Sequence, residues 1–344
     1  MKALIYADKN KTEFINKPEP DIICDSDAIV QVTMSAICTS DLHIINNSVP
    51  RAKKGVTLGH EFTGVVVKTG DKVKNLKTGD RISANCITFC NKCYYCKRGF
   101  INNCENGGWE LGCTIDGAQA EFVRVPYADN TLTKLPDNVS YKNALFVGDI
   151  LSSGYFGALM CEINKDDTIA VIGSGPVGMC AMMCAKYMGA KKVIAIDIDN
   201  ARLKTAIEQN LCDYAINPHE QDAQEVVKSL THGRGADGVI EAAGCDETFK
   251  LAWQIARANA IVGIVAMYEK AQILPLCDMY GKNLTFKTGG VDAIHCEKLV
   301  ELISKGEIST DFLITHSVPF ERIKEGYEIF KNKKDNCLKV AVTY

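Results

Sequence analysis

Residues able to do chemistry concentrate in a few short stretches of this 344-residue chain, and the densest is a run of cysteines. Cys90, Cys93, Cys96 and Cys104 stand at Cys-x2-Cys-x2-Cys-x7-Cys spacing. Four thiolates in so short a stretch can close a tetrahedral zinc site with bonds of about 2.3 Å, clamping a loop too polar to pack by itself. Lys92, Lys97 and Arg98, among the residues between them, suit a site of net negative charge. An iron–sulfur cluster is the first rival, but its bacterial pattern asks for the fourth cysteine three residues on, followed by proline. Two disulfides are the second, and a reducing compartment argues against them.

A second stretch, Gly173-Ser174-Gly175-Pro176-Val177-Gly178, follows an apolar strand and opens a helix. Gly173 suits a tight turn, Gly175 lets backbone N–H groups approach a pyrophosphate, and Gly178 lets helix and strand pack closely. Asp197 ends the next strand, where a carboxylate accepts hydrogen bonds from ribose hydroxyls and repels a 2′-phosphate; this predicts NAD in preference to NADP. Arg202 can pair with Asp197, rest near the ribose, tolerate a phosphate, or simply be a solvated helix residue. A third pair of stretches, Cys38-Thr39-Ser40-Asp41-Leu42-His43 and Gly59-His60-Glu61-Phe62-Thr63-Gly64, carries possible metal ligands. Each alone also fits a buried thiol or a histidine in a turn.

These residues need two kinds of scaffold. Up to about residue 150 the chain reads as short β-like runs broken by turns, at 28–33, 62–68, 81–84 and 120–125. From Thr168 apolar strands alternate with helices: strands at 168–172, 192–196, 214–216, 238–242 and 261–266, and helices from Pro176, Asn200, Glu225 and Asp246. That rhythm predicts an α/β fold with a doubly wound parallel sheet. From about Gly289 a helix over 293–304 and a strand over 338–343 lead back to the first domain. The expected division is residues 1–152 with 289–344, and residues 153–288.

Bulk properties narrow the partners. A length of 344 residues suggests two domains. Net charge of −3 with a pI near 6.1 gives no long-range field for nucleic acid or an anionic membrane, which favours a small-molecule partner. The most apolar stretch, 169–185, is broken by four glycine and proline positions and reads as no membrane span. No export signal is visible in the first residues, so a cytoplasmic location is expected. The 16 cysteines are then thiols or metal ligands, with Cys24, Cys161, Cys212 and Cys337 expected as small buried hydrophobes.

Taken in order, the Cys38 and Gly-His-Glu stretches, the four-cysteine loop, Gly79-Asp80-Arg81 and the glycine turn make the chain resemble the zinc-dependent medium-chain alcohol dehydrogenases over essentially its whole length. Gly64 and Gly70 fit the glycine spacing of that signature. The resemblance implies a GroES-like β-rich catalytic domain beside a Rossmann cofactor domain. It also implies two zinc ions per chain: a structural one on Cys90, Cys93, Cys96 and Cys104, and a catalytic one on Cys38, His60 and a third ligand, with Glu61 able to enter or leave. The liver-type branch uses cysteine as that third ligand. Here Gly148-Asp149-Ile150 looks like the segment where bacterial secondary-alcohol and formaldehyde dehydrogenases place an aspartate, which assigns Asp149; the plain alternative is a helix N-cap.

Ser40 and His43 fall where the family's hydroxyl-to-imidazole proton relay sits, and Cys86 and Trp109 where it lines the substrate pocket. The implied reaction moves a hydride between a small, secondary alcohol and NAD, giving the ketone or aldehyde. Formaldehyde dehydrogenase or dismutase and polyol dehydrogenase are alternatives, and an NAD-binding redox sensor is the non-enzyme one. Related enzymes also imply a homo-oligomer, dimer or tetramer.

Overall fold

Charged ends around an apolar middle make Lys2–Asp8 a strand, β1, whose Ala3, Leu4, Ile5 and Tyr6 are buried. It pairs antiparallel with β2 (Lys11–Asn16), and Asn10 between them takes φ +59°, a conformation asparagine tolerates. Next comes β3 (Ala28–Ala36), rich in β-branched and apolar residues, followed by a short helix, α1 (Thr39–Ile45). β4 (Phe62–Thr69), β5 (Arg81–Ala84), β6 (Phe122–Val125) and β7 (Leu132–Lys134) complete this stretch. The computed structural model describes all residues from 1 to 344. It divides into one unit of Met1–Ser152 with Asp292–Tyr344 and a second of Ser153–Val291.

α2 (Ser152–Met160) starts at the boundary and leads, in the second unit, into β8 (Thr168–Ile172), every residue of which is buried. A continuous apolar run of that kind belongs to a parallel sheet covered on both faces. The chain then alternates α3 (Pro176–Tyr187), β9 (Lys192–Ile196), α4 (Asn200–Glu208), β10 (Tyr214–Ile216), α5 (Ala223–Leu230), β11 (Ala236–Glu241), α6 (Asp246–Ile255), β12 (Ala256–Ile264) and β13 (Thr285–Thr288). Asp199 and Asp222 cap α4 and α5, each accepting two backbone N–H bonds. The sheet order is β10-β9-β8-β11-β12-β13, all parallel, so the direction of winding reverses between β8 and β11. The crevice beyond the carboxyl ends of those two strands is where such a sheet binds a ligand.

The chain returns to the first unit at Asp292, with α7 (Cys296–Ser304), β14 (Ile314–Pro319), α8 (Ile323–Lys331) and β15 (Lys339–Thr343). β15 inserts beside β3, giving the order β14-β15-β3-β4-β5-β7, with β6 also on β3. Residues more than 300 apart in sequence thus share one sheet, with Ala341 opposite Ala36. β1, β2, β14 and the helices α1, α2 and α8 lie outside the elements expected from periodicity. Cys24 is a correction: it is exposed, whereas Cys161, Cys212 and Cys337 are buried. It sits in the loop before β3, where the adjacent Ile23 is itself exposed, so this segment does not turn its apolar side chains inward.

Candidate metal centres and dinucleotide turn

Three chain turns bring Cys38, His60 and Asp149 together in the first unit. Cys38 is the residue before α1, its own N–H donating to the Asp41 carboxylate at 3.0 Å. His60 and Glu61 immediately precede β4, and Glu61 O accepts from Ala36 N–H at the end of β3. Asp149 lies in a widened helical turn, Val147–Leu151, rather than at a helix N-cap. Gly148 makes that approach possible: a Cβ there would stand 1.8 Å from the Ala84 carbonyl oxygen, so only glycine lets the turn reach the end of β5. Cys86 N–H donates to Gly148 O at 3.1 Å and fastens the contact.

The three donor atoms lie within 4.8 Å of one another. Cys38 Sγ is 3.7 Å and His60 Nε2 3.2 Å from Asp149 Oδ2. Zinc bonds of about 2.0–2.3 Å in a tetrahedron separate ligand atoms by roughly 3.3–3.7 Å, so the spacing suits that ion. A buried imidazole normally satisfies both nitrogens, yet neither nitrogen of His60 has a hydrogen-bond partner. Its Nδ1 faces Asp41 Oδ1 at 3.5 Å, beyond hydrogen-bond length but close enough to hold the ring with Nε2 toward Asp149. Asp41 is in turn approached by Gln119 Nε2 at 3.3 Å, and Tyr327 OH donates to Gln119 Oε1 at 2.9 Å.

Charge makes the same point. Burial pushes the Cys38 thiol and the Glu61 carboxyl up, Glu61 to about 7 despite the opposing pull of Lys339. Burial works the same way on Asp149, but contact with His60 outweighs it and holds this carboxyl below its usual range. Acid groups this close in a dry site are stabilised together by a cation. Lys339 supplies one positive charge: its ammonium contacts Glu61 Oε2, with both side chains essentially without solvent. Neither Lys339 nor Asp41 stands out from ligand-type patterns. An isolated lysine inside the apolar Leu338–Val342 run, and an acid buried three residues past a ligand cysteine, are the available signals.

Ser40 and His43 lie one helical turn apart on α1, and Ser40 Oγ is 3.7 Å from Cys38 Sγ. Trp109 stands edge-on to His60, ring centres 5.7 Å apart at 71°. Burial, with Asp149 adding to it, pushes the thiol of Cys86 well up, so this side chain lines the centre as a neutral group.

Cys90, Cys93, Cys96 and Cys104 form the second cluster, all buried, with their sulfurs within 4.8 Å of one another. Backbone N–H groups point at the sulfurs: Cys90 N at Cys104 Sγ (3.3 Å), Cys96 N at Cys93 Sγ (3.5 Å) and Asn106 N at Cys104 Sγ (3.4 Å). Donors arranged in this way favour thiolate over thiol, and four adjacent thiolates require a cation. The set therefore fits zinc and offers it no open position.

In the second unit the glycine turn joins β8 to α3 at the winding reversal. Gly173 takes φ +94°, and a Cβ on Gly178 would stand 1.8 Å from Gly173 O, so the turn itself dictates both glycines. Gly175 differs: its nearest potential neighbour is Arg202 Nη1 at 3.7 Å. Nothing in the protein fills that space, which is the cradle a bound phosphate occupies. Pro176 and Val177 begin α3, the proline at a position where its missing N–H costs nothing. Asp197 accepts Ser174 N–H at 2.6 Å and Asp199 N–H at 2.9 Å, locking its carboxylate beside the turn. Arg202 faces Asp199, Nε to Oδ2 3.6 Å, and this replaces the pairing with Asp197 entertained from sequence.

Comparison with known proteins agrees with these features. Residues 25–137 match the alcohol dehydrogenase GroES-like domain and residues 176–305 the zinc-binding dehydrogenase domain. An alcohol dehydrogenase of Cupriavidus necator is 32% identical over 99% of this chain and 98% of its own. Among solved structures, the alcohol dehydrogenase TADH from Thermus sp. ATN1 superposes with a TM-score of 0.93 at 34% identity, covering 100% of this chain and 99% of that one. Zinc-dependent alcohol dehydrogenase 2 from Streptococcus pneumonia gives 0.93 at 35% identity, covering 100% and 98%. With the match running along the whole length, this chain belongs to the zinc-dependent medium-chain alcohol dehydrogenases.

Proposed function

We propose that the chain oxidises small secondary alcohols with NAD and carries two zinc ions. One is catalytic, on Cys38, His60 and Asp149 with Glu61 as an exchangeable neighbour; the other is structural, on Cys90, Cys93, Cys96 and Cys104. The observation that carries this reading is the convergence of Cys38, His60 and Asp149 donor atoms within 4.8 Å around an imidazole with no hydrogen-bond partner. When bound, zinc acidifies an alcohol hydroxyl and NAD takes up the hydride.

This chain's own residues do the rest. Asp41 keeps the His60 ring turned so that Nε2 faces the other ligands. Cys86 and Trp109 line the centre with neutral side chains and keep water out. Ser40 Oγ takes the proton of the alcohol, and His43, one turn further along α1, passes it to solvent. The Gly173–Gly178 turn with the start of α3 receives the pyrophosphate. Asp197 supports NAD over NADP, since its anchored carboxylate repels a 2′-phosphate while retaining lone pairs for ribose hydroxyls. Arg202, drawn to Asp199 and the turn, leaves Asp197 as the deciding charge.

A steady-state screen of simple secondary and primary alcohols, diols, polyols and formaldehyde with NAD and NADP in parallel tests this, with zinc counted in the same preparation. Two zinc per chain and a preference for secondary alcohols with NAD are expected. A zinc-replete sample that oxidises no alcohol with either cofactor sinks the proposal.

A further inference from the structure

Arg51 places a cation against the wall of the proposed substrate pocket. Its guanidinium carbon lies 5.1 Å from the centre of the Trp109 ring, which stands edge-on to His60. One aromatic ring thus separates a positive charge from a proposed zinc ligand. The placement is fixed by the backbone. Val49 O accepts Ala52 N–H at 3.0 Å, making a tight turn with Pro50 and Arg51 at its centre, and Pro50 pre-sets the first of these positions. Lys53 N–H then donates to Cys113 O at 3.0 Å, tying the turn to the segment that carries Trp109. Stacking on an indole orients the guanidinium; one of its N–H groups lies against the Cys113 thiol, and the rest of the five-donor fork faces a ligand.

Acids in the chain segments around this turn are engaged with other groups. Glu110, next to Trp109, accepts Thr88 Oγ1 at 2.8 Å; Asp116 holds Lys17 at 2.6 Å; and Asp8 takes Lys54, also at 2.6 Å. Within the centre, a divalent cation held by Asp149 and a deprotonated Cys38 would be charge-balanced by them, and Glu61 is paired with Lys339. Arg51 is exposed and left as an excess positive charge at this edge. A planar guanidinium held open to solvent on an aromatic face is suited to bidentate capture of an oxyanion.

We propose that Arg51 selects alcohols whose far end carries a carboxylate or phosphate, so that the substrate spans from the zinc centre past Trp109 to the guanidinium. This rests on the dehydrogenase reading above and narrows its substrate class. The test compares kcat/KM with NAD for matched pairs: 3-hydroxybutyrate against its methyl ester, and propane-1,2-diol 1-phosphate against propane-1,2-diol. An anionic-to-neutral ratio of about 10–100 is expected for at least one pair, the size of one charge-assisted contact, and the pair that shows it identifies the anion. Arg51→Gln is expected to bring that ratio down to about 1, and Arg51→Lys to retain part of it. Ratios near 1 in the unaltered enzyme, or a ratio that Arg51→Gln leaves in place, overturn the proposal. If neither member of any pair is oxidised and the wider screen with NAD and NADP finds no alcohol substrate either, the dehydrogenase reading fails separately. Calorimetric titration of the zinc-loaded protein with 3-hydroxybutyrate and with propane-1,2-diol 1-phosphate then decides the role of Arg51: binding of either lost in Arg51→Gln upholds it, and no binding of either, or binding unaffected by the substitution, overturns it.

Discussion

Lys339 and Glu61 form an ion pair in the dry interior of the first unit, 278 residues apart in sequence and beside the Cys38–His60–Asp149 centre. β15 delivers the lysine and the residue just before β4 is the glutamate, so the contact exists only because the C-terminal strand inserts beside β3. Removing one partner leaves the other charge buried and unmatched. Lys339→Met is therefore expected to destabilise the first unit by about 3–5 kcal/mol, whereas Lys339→Met with Glu61→Leu recovers most of that loss. Chemical denaturation of the two variants checks this, and equal stability of the single variant and the parent contradicts it.

Asp149→Ala should lower bound zinc from two to one per chain and abolish alcohol oxidation. Asp41→Asn should keep both ions but weaken the catalytic one, or its turnover, by about 10–100-fold, because Asp41 orients His60 without being a ligand. Metal analysis after dialysis against a graded chelator separates the two behaviours. Full zinc retention in Asp149→Ala would remove that residue from the ligand set.

Gly175 and Gly178 should respond differently to the same methyl group. The space at Gly175 admits a Cβ, so Gly175→Ala should fold with little change in Tm yet bind NAD at least several-fold more weakly. Gly178→Ala meets Gly173 O at 1.8 Å and should be strongly destabilised. Thermal unfolding with NAD titration distinguishes a position kept open for a ligand from one closed by packing. Unchanged NAD affinity in Gly175→Ala would mean that the cradle has another use.

Ser40→Ala should lower kcat by about 100-fold or more, the usual scale of a positioned proton-transfer group. Replacing His43 by Gln should slow turnover less, with partial rescue by imidazole buffer that carries the proton in its place. The pH profile of kcat is the readout, and a profile untouched by Ser40→Ala refutes the relay.

Local chemistry was legible where it is contiguous. Cys90 to Cys104 supply a whole ligand set within one loop, and the Gly173–Gly178 turn lies between a strand and a helix that each announce themselves by periodicity. The parallel sheet could be read for the same reason: its strands are buried on both faces and nearly continuous in apolar residues. Elements that depend on distant partners did not announce themselves. β14 mixes apolar with polar residues over Ile314–Pro319, and Lys339 looks like an ordinary charge until Glu61 is placed beside it.

The sequence by itself determined which residues are equipped to hold a metal or a dinucleotide, because ligand type, glycine placement and spacing are local properties. It also carried the resemblance that tied Cys38, His60 and Asp149 into one centre. Only the tertiary structure decided how that centre is electrostatically balanced and bounded: Asp41 behind His60, Lys339 against Glu61, Arg202 turned to Asp199, and Arg51 stacked on Trp109. The physical reason is that charge compensation and side-chain stacking act over a few ångströms of space, and sequence separation carries no information about that distance until the sheets are assembled.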